Sequence, residues 1–230
     1  MEIQLEQWAN GILKDTRKQW ESLKEQSDTL KDGFAVFYSS PRINPDLMVI
    51  GYNPGGNKEN SRFDPERESS ISNIAGHEYF QNDYKLAKKM KEVFADIGEI
   101  EILRNSVKLN LIFFRTKREA KWKSIEKTLR QEMEDFCFEK VKDIIEHLQP
   151  KLIITEGIDT FNTLTRQVLQ SPEKPTYDGD PKKSNMTIFA KGTYMNIPII
   201  GLIHPSGARY STEAFERIKS LLKTELKNMK

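Results

Sequence analysis

The sequence predicts an α/β protein built on one mainly parallel sheet with helices on both sides. Three observations lead there. Short apolar runs bounded by breakers recur at Leu47–Ile50, Val107–Phe114, Leu152–Ile154 and Ile197–Ile203, and runs of this length read as buried strands. Longer stretches between them carry apolar residues at a helical period, as in Ile125, Leu129, Met133, Phe136, Val141, Ile144 and Leu148. Strands alternating with helices of that length give βαβ units, whose strands run parallel.

Composition sets the frame. The 230 residues fit a single domain, and 37% hydrophobic with 30% charged residues supply one core beneath a highly charged surface. Lys+Arg 36 against Asp+Glu 34 gives a net charge of +2, which neither demands nor excludes nucleic acid. With a single cysteine, Cys137, the chain builds neither an intramolecular disulfide nor a Cys-based zinc site. The N-terminus, Met-Glu-Ile-Gln-Leu-Glu, lacks the apolar core of a secretory signal. No apolar run approaches the ~20 residues that cross a bilayer. The expectation is a soluble cytoplasmic monomer with no membrane contact.

Residues 1–30 form an N-terminal helical extension, with Leu5, Trp8, Ile12, Trp20 and Leu23 at roughly helical spacing. Phe34–Tyr38 is a short strand or a buried extended segment. Pro41 and Pro45 bound a turn before the Leu47–Ile50 strand, which stops at Asn53-Pro54-Gly55-Gly56. Asn-Pro and Gly-Gly are turn formers, so this loop presents Asn53. Residues 57–81 are a polar insertion, either a surface excursion or a functional loop, since long structureless loops in compact domains are often functional. Asp83 caps a helix carrying Leu86, Met90, Val93, Phe94 and Ile97, which Gly98 ends.

The Val107–Phe114 strand runs into a basic segment, Arg115 to Lys123, containing Trp122. Pro150 ends the long helix that follows. Gly157 closes the Leu152–Ile154 strand, and a helix spans Ile158–Leu169. Ser171–Ser184 reads as a loop. Met186–Ala190 and Ile197–Ile203 are further strands with Gly192 near their turn. The last strand stops at His204-Pro205-Ser206-Gly207, and a closing helix shows Phe215, Ile218, Leu222 and Leu226 on one face. No repeat or linker divides the chain, so residues 1–230 form one domain. In a parallel sheet the carboxyl ends share one edge, where ligands of open α/β sheets bind. The Asn53 loop, the end of the Asn110 strand and the His204 loop are expected to converge there.

At this point the sequence resembles a known superfamily. Gly51-Tyr52-Asn53-Pro54-Gly55-Gly56 looks like the first motif of uracil-DNA glycosylases, in the version of the mismatch-specific/thymine-type and single-strand-selective branches. His204-Pro205-Ser206-Gly207 looks like the second motif. Leu109-Asn110-Leu111-Ile112-Phe113-Phe114 resembles the strand carrying the uracil-reading Asn, and Lys151 to Gly157 the apolar strand before the second motif. The resemblance covers residues about 47 to 225 and leaves out the first helical stretch. It implies a three-layer fold around a four-stranded, mainly parallel sheet. It implies hydrolysis of the N-glycosidic bond of uracil or a related damaged or deaminated base in DNA, as in base excision repair, without metal, cofactor or lysine Schiff base.

That chemistry requires a flipped base, a held water and a donor for the departing base. By the resemblance, Asn53 positions the water and His204 stabilises the leaving base. Asn110 reads the base, for which an amide offers donors and an acceptor. Gly51, Tyr52, Pro54 and Gly55 line the pocket. Phe63 is the candidate stacking ring, with Tyr79 and Phe80 as alternatives. Ser206 and Gly207 contact phosphate or form the turn, and Arg209 is the chosen wedge among Ala208, Arg209 and Tyr210. Arg115, Lys117 and Arg118, with Lys121, Lys123 and Trp122, suit a phosphate backbone or form a solvated face.

The fast enzymes carry Asp where this chain has Asn53, so modest activity is expected. The alternative reading is a weak or inactive glycosylase fold that binds nucleic acid or a partner. A small-molecule enzyme using the Gly-rich turn for phosphate ranks last, since neither Gly-x-x-x-x-Gly-Lys nor Gly-x-Gly-x-x-Gly is present.

Overall fold

The computed structural model describes residues 2–55, 63–74, 76–116, 119–171, 173–206 and 209–229. Its strands are β1 (Met48–Gly51), β2 (Val107–Asn110), β3 (Ile153–Glu156), β4 (Thr176–Asp180), β5 (Lys183–Tyr194) and β6 (Ile197–Leu202). Its helices are α1 (Glu2–Leu23), α2 (Pro65–Glu68), α3 (Glu78–Gln81), α4 (Lys85–Asp96), α5 (Ile100–Arg104), α6 (Glu119–Lys123), α7 (Lys127–Leu148), α8 (Ile158–Thr163) and α9 (Thr212–Asn228).

The strands form one six-stranded sheet in the order β2-β1-β3-β6-β5-β4. β1 pairs in parallel with β2 and β3, and β3 with β6. β5 runs antiparallel to both β6 and β4. Every residue of β1, β2 and β3 is buried, as expected for parallel strands covered on both faces.

One apolar layer joins α1, α7 and α8 to one face, through residues such as Leu13, Trp20, Met133, Ile144 and Phe161. The other joins α4, α5 and α9 to the opposite face through Met90, Phe94, Leu103, Ile218 and Leu222. The expected α/β class with helices on both sides is therefore observed. The four-stranded expectation is corrected to six strands.

Five of the six contain runs expected as strands from the sequence, and the sixth lies in Ser171–Ser184, expected as a loop. It contains β4 and the start of β5. β4 is mostly exposed and takes its order from antiparallel hydrogen bonds to β5, so no apolar alternation marks it in sequence. The β5–β6 turn is also displaced from Gly192. It falls at Met195-Asn196, with φ of 48° and 68°, the sign pattern of a tight type I′ hairpin. Gly192 instead lies within β5, where an added Cβ would meet Phe161 at 3.3 Å.

Phe34–Phe37 resolves to the extended alternative. Bridges Phe34↔Phe114 and Phe37↔Leu109 lay it along the outer edge of β2, held by Tyr38 N–H to Lys108 O at 2.8 Å. This covers an edge that would otherwise be free to pair with another chain. The regular part of the Val107–Phe114 strand ends at Asn110, although Leu111–Phe114 stay buried.

The described part of the polar insertion is ordered into short turns. Asp64 caps α2, and His77 caps α3. Tyr84 stands at the start of α4, while Asp83 forms an ion pair with Lys91 at 2.8 Å. Among the described residues, no helix is long and apolar enough to cross a membrane.

Candidate functional site

Parallel pairing brings the carboxyl ends of β1, β2, β3 and β6 to one edge. Gly51 lies opposite Asn110, and Glu156 opposite Leu202. The loops after β1 and β2 continue side by side beyond the sheet. Leu111 N–H donates to Gly51 O at 2.9 Å, Ile112 N–H to Tyr52 O at 2.9 Å and Thr116 N–H to Pro54 O at 3.2 Å. Gly55 forms a parallel bridge with Thr116.

Asn53 sits half-buried in this arrangement. Its Nδ2 donates to Thr116 Oγ1 at 2.7 Å and to Pro54 O at 3.2 Å. Both contacts hold the amide in one orientation, with the carbonyl oxygen as its accepting end. His204 stands two residues past β6, exposed, with Nδ1 3.3 Å from Ser206 Oγ.

Gly51 forms a flat spot between two side chains from the neighbouring strands. A Cβ there would lie 2.1 Å from Asn110 Oδ1 and 2.9 Å from Glu156 Oε2. Only glycine lets both side chains lean over this strand. Asn110 and Glu156 are 5% and 4% exposed. On the same face lies Lys108, two residues before Asn110 on β2. Lys108 Nζ is 3.5 Å from Glu156 Oε2 and 3.8 Å from Glu78 Oε2. It also sits 5.0 Å from the Tyr38 ring centre and 4.9 Å from that of Tyr79.

Burial governs the electrostatics of this group. Glu156 is pushed up to about 8 by desolvation first and by the Glu78 charge second. Desolvation lowers Lys108, against the pull of Glu78. The Tyr38 and Tyr84 hydroxyls are raised by burial. The Tyr38 hydroxyl approaches Asn110 without a well-formed hydrogen bond.

Beside this group opens a cleft of about 200 Å³, lined by Tyr38, Glu68, Asn73, Glu78, Gln81 and Arg115 among others. Arg115 Nη2 is 3.3 Å from Glu68 Oε1, and its Nε donates to Phe34 O at 3.2 Å. The carboxyl of Glu68 is raised by burial.

The remaining expected residues are spread out. Phe63 packs edge-on against Trp20 and Phe34, 5.1 and 5.4 Å between ring centres, in the α1 layer on the opposite face of the sheet from Asn110. Of its alternatives, Tyr79 is buried beside Lys108, and Phe80 packs under Arg104 at 4.0 Å. Ser206 stays with His204, and Arg209 is exposed, with its carbonyl accepting from Lys183 Nζ. Trp122 is buried, with Nε1 donating to Glu134 Oε1 at 3.0 Å. Gly56, Lys117, Arg118, Gly207 and Ala208 lie outside the described residues.

Sequence reading missed Tyr38, Glu78, Lys108 and Glu156. Two of them left a signal. Lys108 and Glu156 are charges inside fully buried strands, where an unpaired charge is costly and a partner must be supplied. Among the described residues, no three His, Cys, Asp or Glu side chains converge as a metal site. No protein-family model and no curated protein matches the chain.

Proposed function

We propose that the chain is a DNA glycosylase of the uracil-DNA glycosylase type, acting on uracil or a related deaminated or damaged base. The observation that carries the reading is the shared edge. The Gly51-Tyr52-Asn53-Pro54-Gly55 loop, Asn110 and the His204-Pro205-Ser206 loop all leave the carboxyl ends of strands in one parallel set, with Gly51 paired to Asn110. In this reading the Asn53 carbonyl oxygen holds a water below the anomeric carbon. The glycosidic bond breaks, its electrons leave with the base, and His204 donates a hydrogen bond to the developing anion. The water oxygen bonds to the anomeric carbon, and its proton passes to solvent. An amide orients water but adds no negative charge beside the cationic sugar, so turnover is slow.

The test is excision from uracil-containing single strands, U:G duplexes and hypoxanthine duplexes, read as abasic sites. We expect Asn53→Ala and His204→Ala each to lose about 10²- to 10³-fold, the usual cost of removing a transition-state hydrogen bond. Absence of product at enzyme excess on all three substrates would overturn the reading.

A second reading is a glycosylase-type fold that binds DNA without chemistry. It is favoured by the residue type at position 53, an Asn, whose amide adds no negative charge beside a cationic sugar. Salt-dependent DNA binding insensitive to His204→Ala, without abasic product, would select it.

A further inference from the structure

We propose that Asp180 is a positioning residue for the His204 loop, through which the β4–β5 hairpin holds the donor to the leaving base in place. The proposal rests on the glycosylase reading above. Asp180 closes β4, outside every motif that carries the resemblance, and is the one buried residue of that strand, at 4% exposed. β4 therefore adds almost nothing to the apolar core. Its buried side chain is a carboxylate that reaches across to the segment joining β6 to α9. That segment carries His204, Ser206 and Arg209.

The hairpin holds this segment at both ends. At the start, Ile203 N–H donates to Ile188 O of β5 at 2.9 Å. At the far end, Ser211 N–H donates to Asp180 Oδ2 at 2.9 Å, and Ser211 Oγ–H to Asp180 Oδ1 at 2.8 Å. Lys182 N–H, in the turn between β4 and β5, also donates to Oδ1 at 2.8 Å. Ser211 Oγ accepts the Ala214 N–H at 3.0 Å, which caps α9. Lys183 Nζ donates to Arg209 O, and Lys182 Nζ lies 3.0 Å from Glu213 Oε1. The Tyr210 ring stacks on Phe215 of α9, 6.0 Å between ring centres. Farther along, Arg217 of α9 pairs with Asp178 of β4, and Glu225 with Lys191 of β5 at 2.8 Å. The hairpin, the end of the loop and the start of α9 thus form one bonded unit.

All three groups on the Asp180 side chain are donors, which an ionised carboxylate alone can accept on both oxygens. An Asn of the same shape keeps one accepting oxygen and turns an NH₂ toward at least one of these donors. A strand end fixes only the first residues of a loop. The second tie, at Ser211, limits where the rest can go. A hydrogen-bond donor for a leaving group acts best when it is held in place before the bond breaks, and small misplacements are costly.

The test compares wild type, Asp180→Asn and Lys183→Ala by backbone NMR order parameters and by single-turnover excision of uracil at saturating DNA. Thermal unfolding serves as the control for folding. In Asp180→Asn, the order parameters of His204, Ser206 and Tyr210 are expected to fall from the rigid range, about 0.85, toward about 0.6, with β1, β2 and β3 unchanged. Excision is expected to fall about tenfold. A purely structural role would cost the same whether or not His204 is present. In a His204→Ala background, Asp180→Asn is therefore expected to cost less than about twofold. Should Asp180→Asn fail to fold, Lys183→Ala, at an exposed residue, decides by the same measurements. Unchanged order parameters in the folded variants overturn the proposal. So do unchanged excision by a loosened loop and an equal loss in the His204→Ala background, both of which leave the glycosylase reading standing. A wild type that releases no base overturns that reading and the positioning role with it, and the order parameters then decide only whether Asp180 fixes the loop.

Discussion

Beneath the candidate site, single residues are held by exact protonation. His77 Nδ1 accepts the Tyr79 N–H at 3.2 Å, so its proton resides on Nε2, which donates to Ser106 Oγ at 3.0 Å. Ser106 Oγ in turn donates to Leu103 O at 2.8 Å. Burial, then the charges of Lys108 and Arg42, lower His77 to about 3. The unfolded chain takes up this proton below about 6.5, while the folded chain holds off until about 3. The stability from neutral His77 is thus fully present above pH 6.5 and is lost as pH falls toward 3. Unfolding by urea across that window should show a loss of up to about 1.4 kcal/mol per pH unit that is absent in His77→Asn, which keeps a capping acceptor. Equal slopes in the two proteins would show that His77 is not the titrating group. The positions of Asn53 and His204 just past strand ends were legible in sequence because turn-forming residues flank them. Glu156 and Lys108 were harder to read, because their meaning depends on β1, β2 and β3 lying side by side, which no local pattern encodes.

At the level of elements, legibility followed burial. α7 was readable to its close, where a left-handed Gln149 with φ of 51° precedes Pro150, whereas Ile125, expected on its face, stands before its first residue, Lys127. β4 was not readable, because its order comes from a partner strand rather than from an apolar face. Phe63 was assigned from its place after the first motif, yet the helix that captures its ring, α1, lies outside the region of resemblance. The β5–β6 hairpin carries a correctable weakness. Met195 is 65% exposed and adopts φ of 48°, which a residue without a short polar side chain tolerates poorly. Met195→Asn should stabilise the protein by about 0.5–1 kcal/mol, since Asn adopts this conformation readily. In a chain of this size that corresponds to a rise in Tm of roughly 1–4 °C. An unchanged or lower Tm would mean that Met195 makes compensating contacts across the hairpin.

For the whole molecule the question is where the folding unit begins. The sequence suggests that residues 1–30 are an extension, because the family motifs start later. In the structure α1 forms part of one of the two layers that cover the sheet. Ala9, Ile12, Leu13, Trp20 and Leu23 are all buried there. Trp8 stacks on His147 of α7 at 4.0 Å, and Trp20 Nε1 donates to Leu30 O at 2.7 Å. The Trp20 ring also meets Phe34 and Phe63, so α1 fastens both the segment that covers the β2 edge and the residues leading to the cleft. Removing the helix would uncover a face of the sheet and of α7 that is apolar along its length. Fully burying one large apolar side chain contributes about 1.5–3 kcal/mol, so the loss of Ile12, Leu13, Trp20 and Leu23 together approaches the whole stability of an ordinary domain. A chain lacking residues 1–23 should therefore lose its cooperative thermal transition and bind a hydrophobic dye. Trp20→Ala should remain folded but less stable by about 3–5 kcal/mol. Ile3→Ala, at a site 72% exposed, should change stability by less than about 0.5 kcal/mol. A truncated chain that melts cooperatively at the full-length temperature would show α1 to be detachable.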